Sequence, residues 1–283
     1  MQEIAPNVFI EKNSLGLITG IIRTEEGTVL IDSPIRLDDS HPWRSGSAHA
    51  SHSALRFLVL LDTNYDRLLS AKGMDYVIIA HANSLLPVKP KPASAKAQED
   101  QSSTGETMEN LNSSGRQILP EITFQQDLDI YLGPVELHLE HHTGVNNAGL
   151  WVELPKEKVL FIGDTVTDAQ PPFIAYFDAD VWLADLDLLS SQRYQGYQMV
   201  SSRSGIITPD QIAAMSTNIA FIRDALAPLM EANASLEEVL ALIPKIMARY
   251  NVEPMLQDLY YNRLRWGLTT YYESHHSSGR STM

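Results

Sequence analysis

Two residues in this chain combine a reactive side chain with a position that a fold can exploit, His142 and Asp164. His142 follows His141 at the end of an alternating run. Val135, Leu137 and Leu139 face one way there and Glu136, His138 and Glu140 the other, the period of a half-buried strand. A Gly/Asn turn spans 144–147 and a second apolar run covers 150–154. A Pro-Lys-Glu-Lys turn follows, and the run 159–162 ends in Gly163 and Asp164. An imidazole and a carboxylate at the ends of neighbouring strands can converge on one metal ion or one substrate. Two donors do not close a metal site, and the same spacing also suits a surface histidine and a capped turn.

The elements that must position this pair extend in both directions. Short apolar runs at Val8–Glu11, Leu17–Arg23 and Thr28–Ile31 are punctuated as an antiparallel meander ending at Asp32. Further buried runs follow at 55–61 and 75–80, the latter ending in His81, and strand pattern returns over 118–139. The order HT, Gly/Asn turn, strand, LPKEKVLFIGD resembles the central segment of the metallo-β-lactamase superfamily, and the likeness runs over roughly residues 7 to 215. It implies an α/β (α+β) fold: an αββα sandwich of two mixed β-sheets with outer helices, here followed by a C-terminal helical extension.

The resemblance also assigns roles. The family holds two zinc ions with histidines and a bridging aspartate. His142 matches a ligand of the first zinc and Asp164 the bridging carboxylate, while Asp32 matches a buried structural carboxylate. The family's T-H-x-H-x-D-H motif, laid on Thr63, falls on Asn64, Asp66, Leu68 and Leu69. Its last zinc histidine, in a PGHG turn, falls on Arg203 within SSRSG. Leucine has no lone pair to donate, and Asn64 and Asp66 offer oxygen that suits a hard cation weakly. His81 matches a family histidine that packs or hydrogen-bonds near the cleft.

Three functions follow as expectations. The first is a protein that has lost the dinuclear zinc site and acts as a pseudoenzyme or a ligand- or partner-binding module, with no tightly bound cofactor. The second is a mononuclear metal-dependent hydrolase of a small ester, thioester or lactone. It would use His142, Asp164 and Asp66, with Asn64 as a further weak ligand, around one divalent zinc, iron or manganese ion. The third is metal-free acid/base catalysis by His142 with Asp66 or Asp164. In the first, Arg203 is expected to turn into the former metal site and replace the missing charge by pairing with Asp164 or Asp66.

The rest of the chain sets bounds. With 283 residues, 44% hydrophobic and 20% charged, it can bury a full core. A net charge of -14 argues against nucleic acid or an anionic membrane as a partner, leaving a small molecule or a protein, with a homodimer possible. The absence of cysteine removes disulfides, thiolate ligands and cysteine nucleophiles, and no signal-like or membrane-spanning run is present, so a cytoplasmic protein is expected. The domain is expected over 1–215, with a mobile insertion at 86–117, helices packed on it over 216–273, and a disordered tail at 274–283. A loop at 36–53 carries His41, His49 and His52. Helices are predicted at 178–190, with Val181, Leu183, Leu186 and Leu189 inward; from Thr208; over 236–250 behind a Ser235/Glu238 capping box; and from Pro254 to about 272.

Overall fold

The computed structural model of the chain describes residues 1–12, 16–33, 55–62, 67, 76–85 and 119–278. The 36–53 loop, Asn64, Asp66, Leu68, Leu69 and the 86–117 stretch lie outside the described residues.

The apolar runs form two mixed sheets. In the first, β1 (Gln2–Ala5), β2 (Val8–Lys12), β3 (Ile18–Arg23), β4 (Gly27–Ile31), β5 (Leu55–Val59), β6 (Val77–His81) and β7 (Ile122–Phe124) lie in sequence order. β1 to β4 pair antiparallel, and β4 to β7 pair parallel. Every residue of β4 is buried, as a strand covered on both faces requires. In the second, β8 (Asp127–Leu132), β9 (Val135–His141), β10 (Leu150–Leu154), β11 (Val159–Phe161), β12 (Gln198–Ser201) and β13 (Gly205–Ile206) take the order β13-β12-β11-β10-β9-β8. Here β11 and β12 run parallel, and the other neighbours antiparallel. The edge strands β1 and β13 are too short to announce themselves as patterns.

The sheets share one core. Val29, Ile31 and Val59 of the first meet Leu137, Leu139, Leu150, Val152 and Phe161 of the second. Contact is close enough that a side chain at Gly20 would strike the Phe161 ring, 2.6 Å from an added Cβ. Backbone bonds also stitch the layers together at the strand ends: Leu150 N–H donates to Leu61 O and Ile18 N–H to Ser202 O, both at close range.

Helices cover the outer face of the second sheet. Asp178 caps α1 (Ala179–Leu189), accepting from the Asp180 and Val181 amides. Its buried stripe is Trp182, Asp185, Leu186 and Leu189, so Val181 faces solvent rather than the core. The i, i+3, i+4, i+7 rule holds, but its phase is set by Trp182, and it draws an aspartate inward. Thr208 and Gln211 form a capping box for α2 (Pro209–Glu231). The expected 236–250 helix is two, α3 (Leu236–Leu240) and α4 (Ile243–Met247). Pro244 has no N–H for the Leu240 carbonyl and interrupts the ladder there. After a 3-10 turn at Pro254–Leu256, α5 (Gln257–Ser278) runs beyond the 274 boundary expected for a disordered tail. His275 and His276 extend it by contacts one turn back, stacking at 4.0 Å on Tyr271 and Tyr272. Leu264 and Leu268 of α5 join the same core as Trp182 and Leu186. Among the described residues no helix is long and apolar enough to cross a membrane.

Candidate functional site

The strand ends of both sheets meet at one edge of the sandwich, and charged side chains converge there. Asp32 follows β4 in a left-handed conformation, φ 58°, which turns its carboxylate inward. Asp164 follows β11 behind Gly163, φ 58°. Between them lies Arg67, a fully buried arginine. Its Nε donates to Asp32 Oδ2 at 2.7 Å, one terminal nitrogen to Asp164 Oδ1 at 2.7 Å, and the other to Asp62 and, at 3.4 Å, to Asp164 Oδ2. Three carboxylates from three different strand ends thus take one guanidinium, whose rigid fan of N–H groups suits such a fork.

Other groups hold the same carboxylates. Leu61 N–H donates to Asp32 Oδ1 at 2.9 Å and Ser202 Oγ to Asp32 Oδ2 at 3.0 Å. Ser33 Oγ donates to the Arg67 carbonyl at 2.9 Å. Arg203, on the turn after β12, places Nε 3.2 Å from Asp164 Oδ1 and 3.4 Å from Oδ2. Its guanidinium lies over the Phe173 ring at 5.0 Å, and Arg263 of α5 covers the same ring at 4.2 Å.

Electrostatics divides the carboxylates. Burial alone would push Asp164 up, but Arg203 and Arg67 together hold it well below the usual carboxylate range. For Asp32 burial wins over the Arg67 charge and the Leu61 amide, and its pKa is raised.

His142 turns elsewhere. Its Nδ1–H donates to Asp185 Oδ1 at 2.8 Å, and its ring stacks on Trp151 with centroids 3.5 Å apart. Trp151 Nε1–H in turn donates to Thr165 Oγ1, one residue after Asp164. The helix carrying Asp185 can come this close because residue 144 is glycine: an added Cβ there would sit 2.5 Å from Trp182 Cα. His142 Nε2 is buried without a hydrogen-bond partner, 3.8 Å from Glu140 Oε2. Burial disfavours the imidazolium, but the Asp185 bond and the Glu140 charge outweigh it and raise the His142 pKa. Glu140 is lowered to about 2, chiefly by His142 and then by Arg193, which bonds it at 2.9 Å.

Neighbouring histidines are accounted for. His81 Nε2–H donates to Gln125 O at 2.8 Å, its Nδ1 accepts from the Asn83 amide at 3.2 Å, and the ring stacks on His141 at 3.5 Å. This fits the packing and hydrogen-bonding role expected for it. A hollow of ≈ 290 Å³ lined by Gln126, Asp127, His138, Glu140 and His141 opens beside the cluster.

Of the residues singled out in the sequence, the structure therefore joins Asp164 to Arg203, as a pair. It does not join Asp164 to His142: no hydrogen bond or ion pair links the two among the described residues, and each is engaged by different partners. Asn64 and Asp66 lie outside the described residues. Arg67, Asp62 and Asp185 escaped sequence reasoning. Arg67 sits at a spacer position of the resembled motif, where no particular side chain is expected, and Asp185 was hidden by the misplaced phase of α1.

Comparison with known proteins bears on this geometry. The sequence pattern described as the metallo-beta-lactamase superfamily matches residues 19–195. No curated protein matches the chain. Among solved structures, a metallo-beta-lactamase from Pontibacter korlensis is similar at 17% identity and TM-score 0.57, over 77% of this chain and 97% of its own. A stereoselective inverting sec-alkylsulfatase from Pseudomonas sp. reaches TM-score 0.68 at 15% identity, over 96% of this chain and 49% of its own. A metallo-beta-lactamase family protein from Thermus thermophilus gives 0.63 at 14% identity, over 96% of this chain and 95% of its own. At these identities the likeness is one of fold, and in the last two cases it covers 96% of this chain.

Proposed function

The chain belongs to the metallo-beta-lactamase superfamily, and from that premise we propose that it works without the family's dinuclear zinc site, as a pseudoenzyme or a ligand- or partner-binding module. The observation that carries this reading is the engagement of Asp164. The carboxylate matched to the family's bridging ligand is fully buried and faced by two guanidinium groups. A carboxylate so neutralised has little left to offer a cation. At this site the buried Nε2 of His142 is a feature that suits a metal, since Asp185 on Nδ1 leaves it oriented. One nitrogen does not hold an ion, and among the described residues no group of three or more His, Asp or Glu side chains is placed to do so. What supports the reading is that the family's bridging carboxylate is already taken by two arginines.

Zinc supplies this superfamily's nucleophile by lowering the pKa of a bound water to about 7. A member lacking it keeps the cleft and the recognition surfaces but loses that reagent. The test is metal analysis of protein purified without chelator or added zinc, with melting temperature measured against added Zn²⁺. We expect less than one transition-metal ion per chain and no zinc-dependent rise, where a ligand at 100 times its Kd would add about 2.7 kcal/mol. Two zinc ions per chain, with hydrolysis of a β-lactam, thioester or lactone that chelation abolishes, would overturn the proposal.

A further inference from the structure

We infer that Arg67 is the built-in cation of this fold, standing among strand-end carboxylates that include the match to the family's bridging ligand, and that the space it fills is a receptor for a guanidinium group. This rests on the metal-free reading and extends it to one side chain and one ligand chemistry.

Three observations carry it. Asp32, Asp62 and Asp164 each meet a different guanidinium nitrogen, so the acids are spread around a planar, three-branched cation. A metal ion would instead need its oxygens about 2.0–2.2 Å from a single point, and the described acids are not grouped for that. Secondly, the guanidinium is fully buried, where a charge without partners would cost several kcal/mol. Thirdly, two of the acids are also held by groups other than Arg67. Leu61 N–H and Ser202 Oγ fix Asp32, and Arg203 fixes Asp164. Truncating the Arg67 side chain would therefore leave carboxylates still aimed at a void shaped for a guanidinium.

The experiment uses the full chain. Arg67→Ala should lower the melting temperature by roughly 10 °C or more, as expected when one partner of a buried charge network is removed. Guanidinium chloride at low millimolar concentration should restore part of that loss in a saturable way. Urea and sodium chloride at the same concentrations should not, and the wild type should show no rise. A second pair of variants decides the matter should Arg67→Ala fail to fold. Asp62→Asn should lower the melting temperature of the wild type but raise that of Arg67→Met, or recover folded protein from it, because there it removes a carboxylate with one cation fewer. An Arg67→Ala protein as stable as the wild type, or one that folds and gains nothing specific from guanidinium, would overturn the inference. So would an Asp62→Asn effect of the same sign in both backgrounds, or its failure to recover an unfolded Arg67→Met. Zinc uptake by the wild type would instead undo the metal-free reading itself, which keeps the two failures apart.

Discussion

Replacing Arg203 by alanine separates charge from packing at the Asp164 corner. The side chain is mostly buried and donates from Nε to both Asp164 oxygens. A hydrogen bond to a charged group contributes about 1.5–3 kcal/mol, and the stacking over Phe173 adds about 0.5–1 kcal/mol. Arg67 stays in place on Asp164, so the loss should fall short of the ~3–5 kcal/mol seen when a buried ion is left bare. We expect about 2–3 kcal/mol at pH 7, read by urea denaturation. The pH dependence follows from Asp164, whose folded pKa lies below its ordinary 3.8. A carboxylate of depressed pKa stabilises the fold fully above its unfolded pKa, and that contribution disappears as pH falls through the folded value. The gap between wild type and Arg203→Ala should thus be constant from pH 7 down to about 5 and shrink below pH 4 towards the packing part alone. A loss that is the same at pH 7 and pH 3 would refute the charge argument and leave the packing of the side chain as its contribution.

Two other expectations test the second half of the site and its support. The raised pKa of His142 means that its contribution is fully present below 6.5 and is lost as pH rises through the folded value, so His142→Gln should destabilise more at pH 6 than at pH 9. Titration of the imidazole by NMR should show a pKa above 6.5 that falls in Asp185→Asn, and an unchanged value there would deny Asp185 its role. Gly144→Ala forces a Cβ against the Trp182 backbone and should cost about 1–3 kcal/mol as overpacking, with the His142 pKa disturbed as α1 is pushed away.

The two-sheet architecture was legible because alternation, Gly/Asn turns and capping boxes are local signals, and β2 to β6 and β8 to β11 follow them closely. Errors fell where a local rule had two solutions. The α1 stripe has the right period but the wrong phase, because Trp182 outweighs Val181 once the helix meets the sheet. Residues 236–250 break at Pro244 although their apolar spacing continues. At the site, Arg203 lay at a position where the superfamily resemblance expects a histidine, so its departure was visible. Arg67 was not, since an arginine in a polar stretch reads as a solvated surface charge until the sheets bring Asp32 and Asp164 to it. Its burial is a property of tertiary structure and has no counterpart in spacing.

The Asp32–Arg67–Asp164–Ser202 knot also orders events in time. Its bonds span 35 residues from Arg67 to Asp32, 97 from Arg67 to Asp164 and 170 from Ser202 to Asp32. Closing loops of that length before any sheet exists gains a few polar contacts against a large loss of chain entropy. The knot is therefore expected to tighten after the strands of both sheets have assembled, on the native side of the folding barrier. Interactions made that late leave the rate of folding nearly untouched and act on the rate of escape from the native state. The buried arginine is thus expected to work as a latch on unfolding, so that Arg67→Ala speeds unfolding more than it slows folding when both rates are measured by stopped flow.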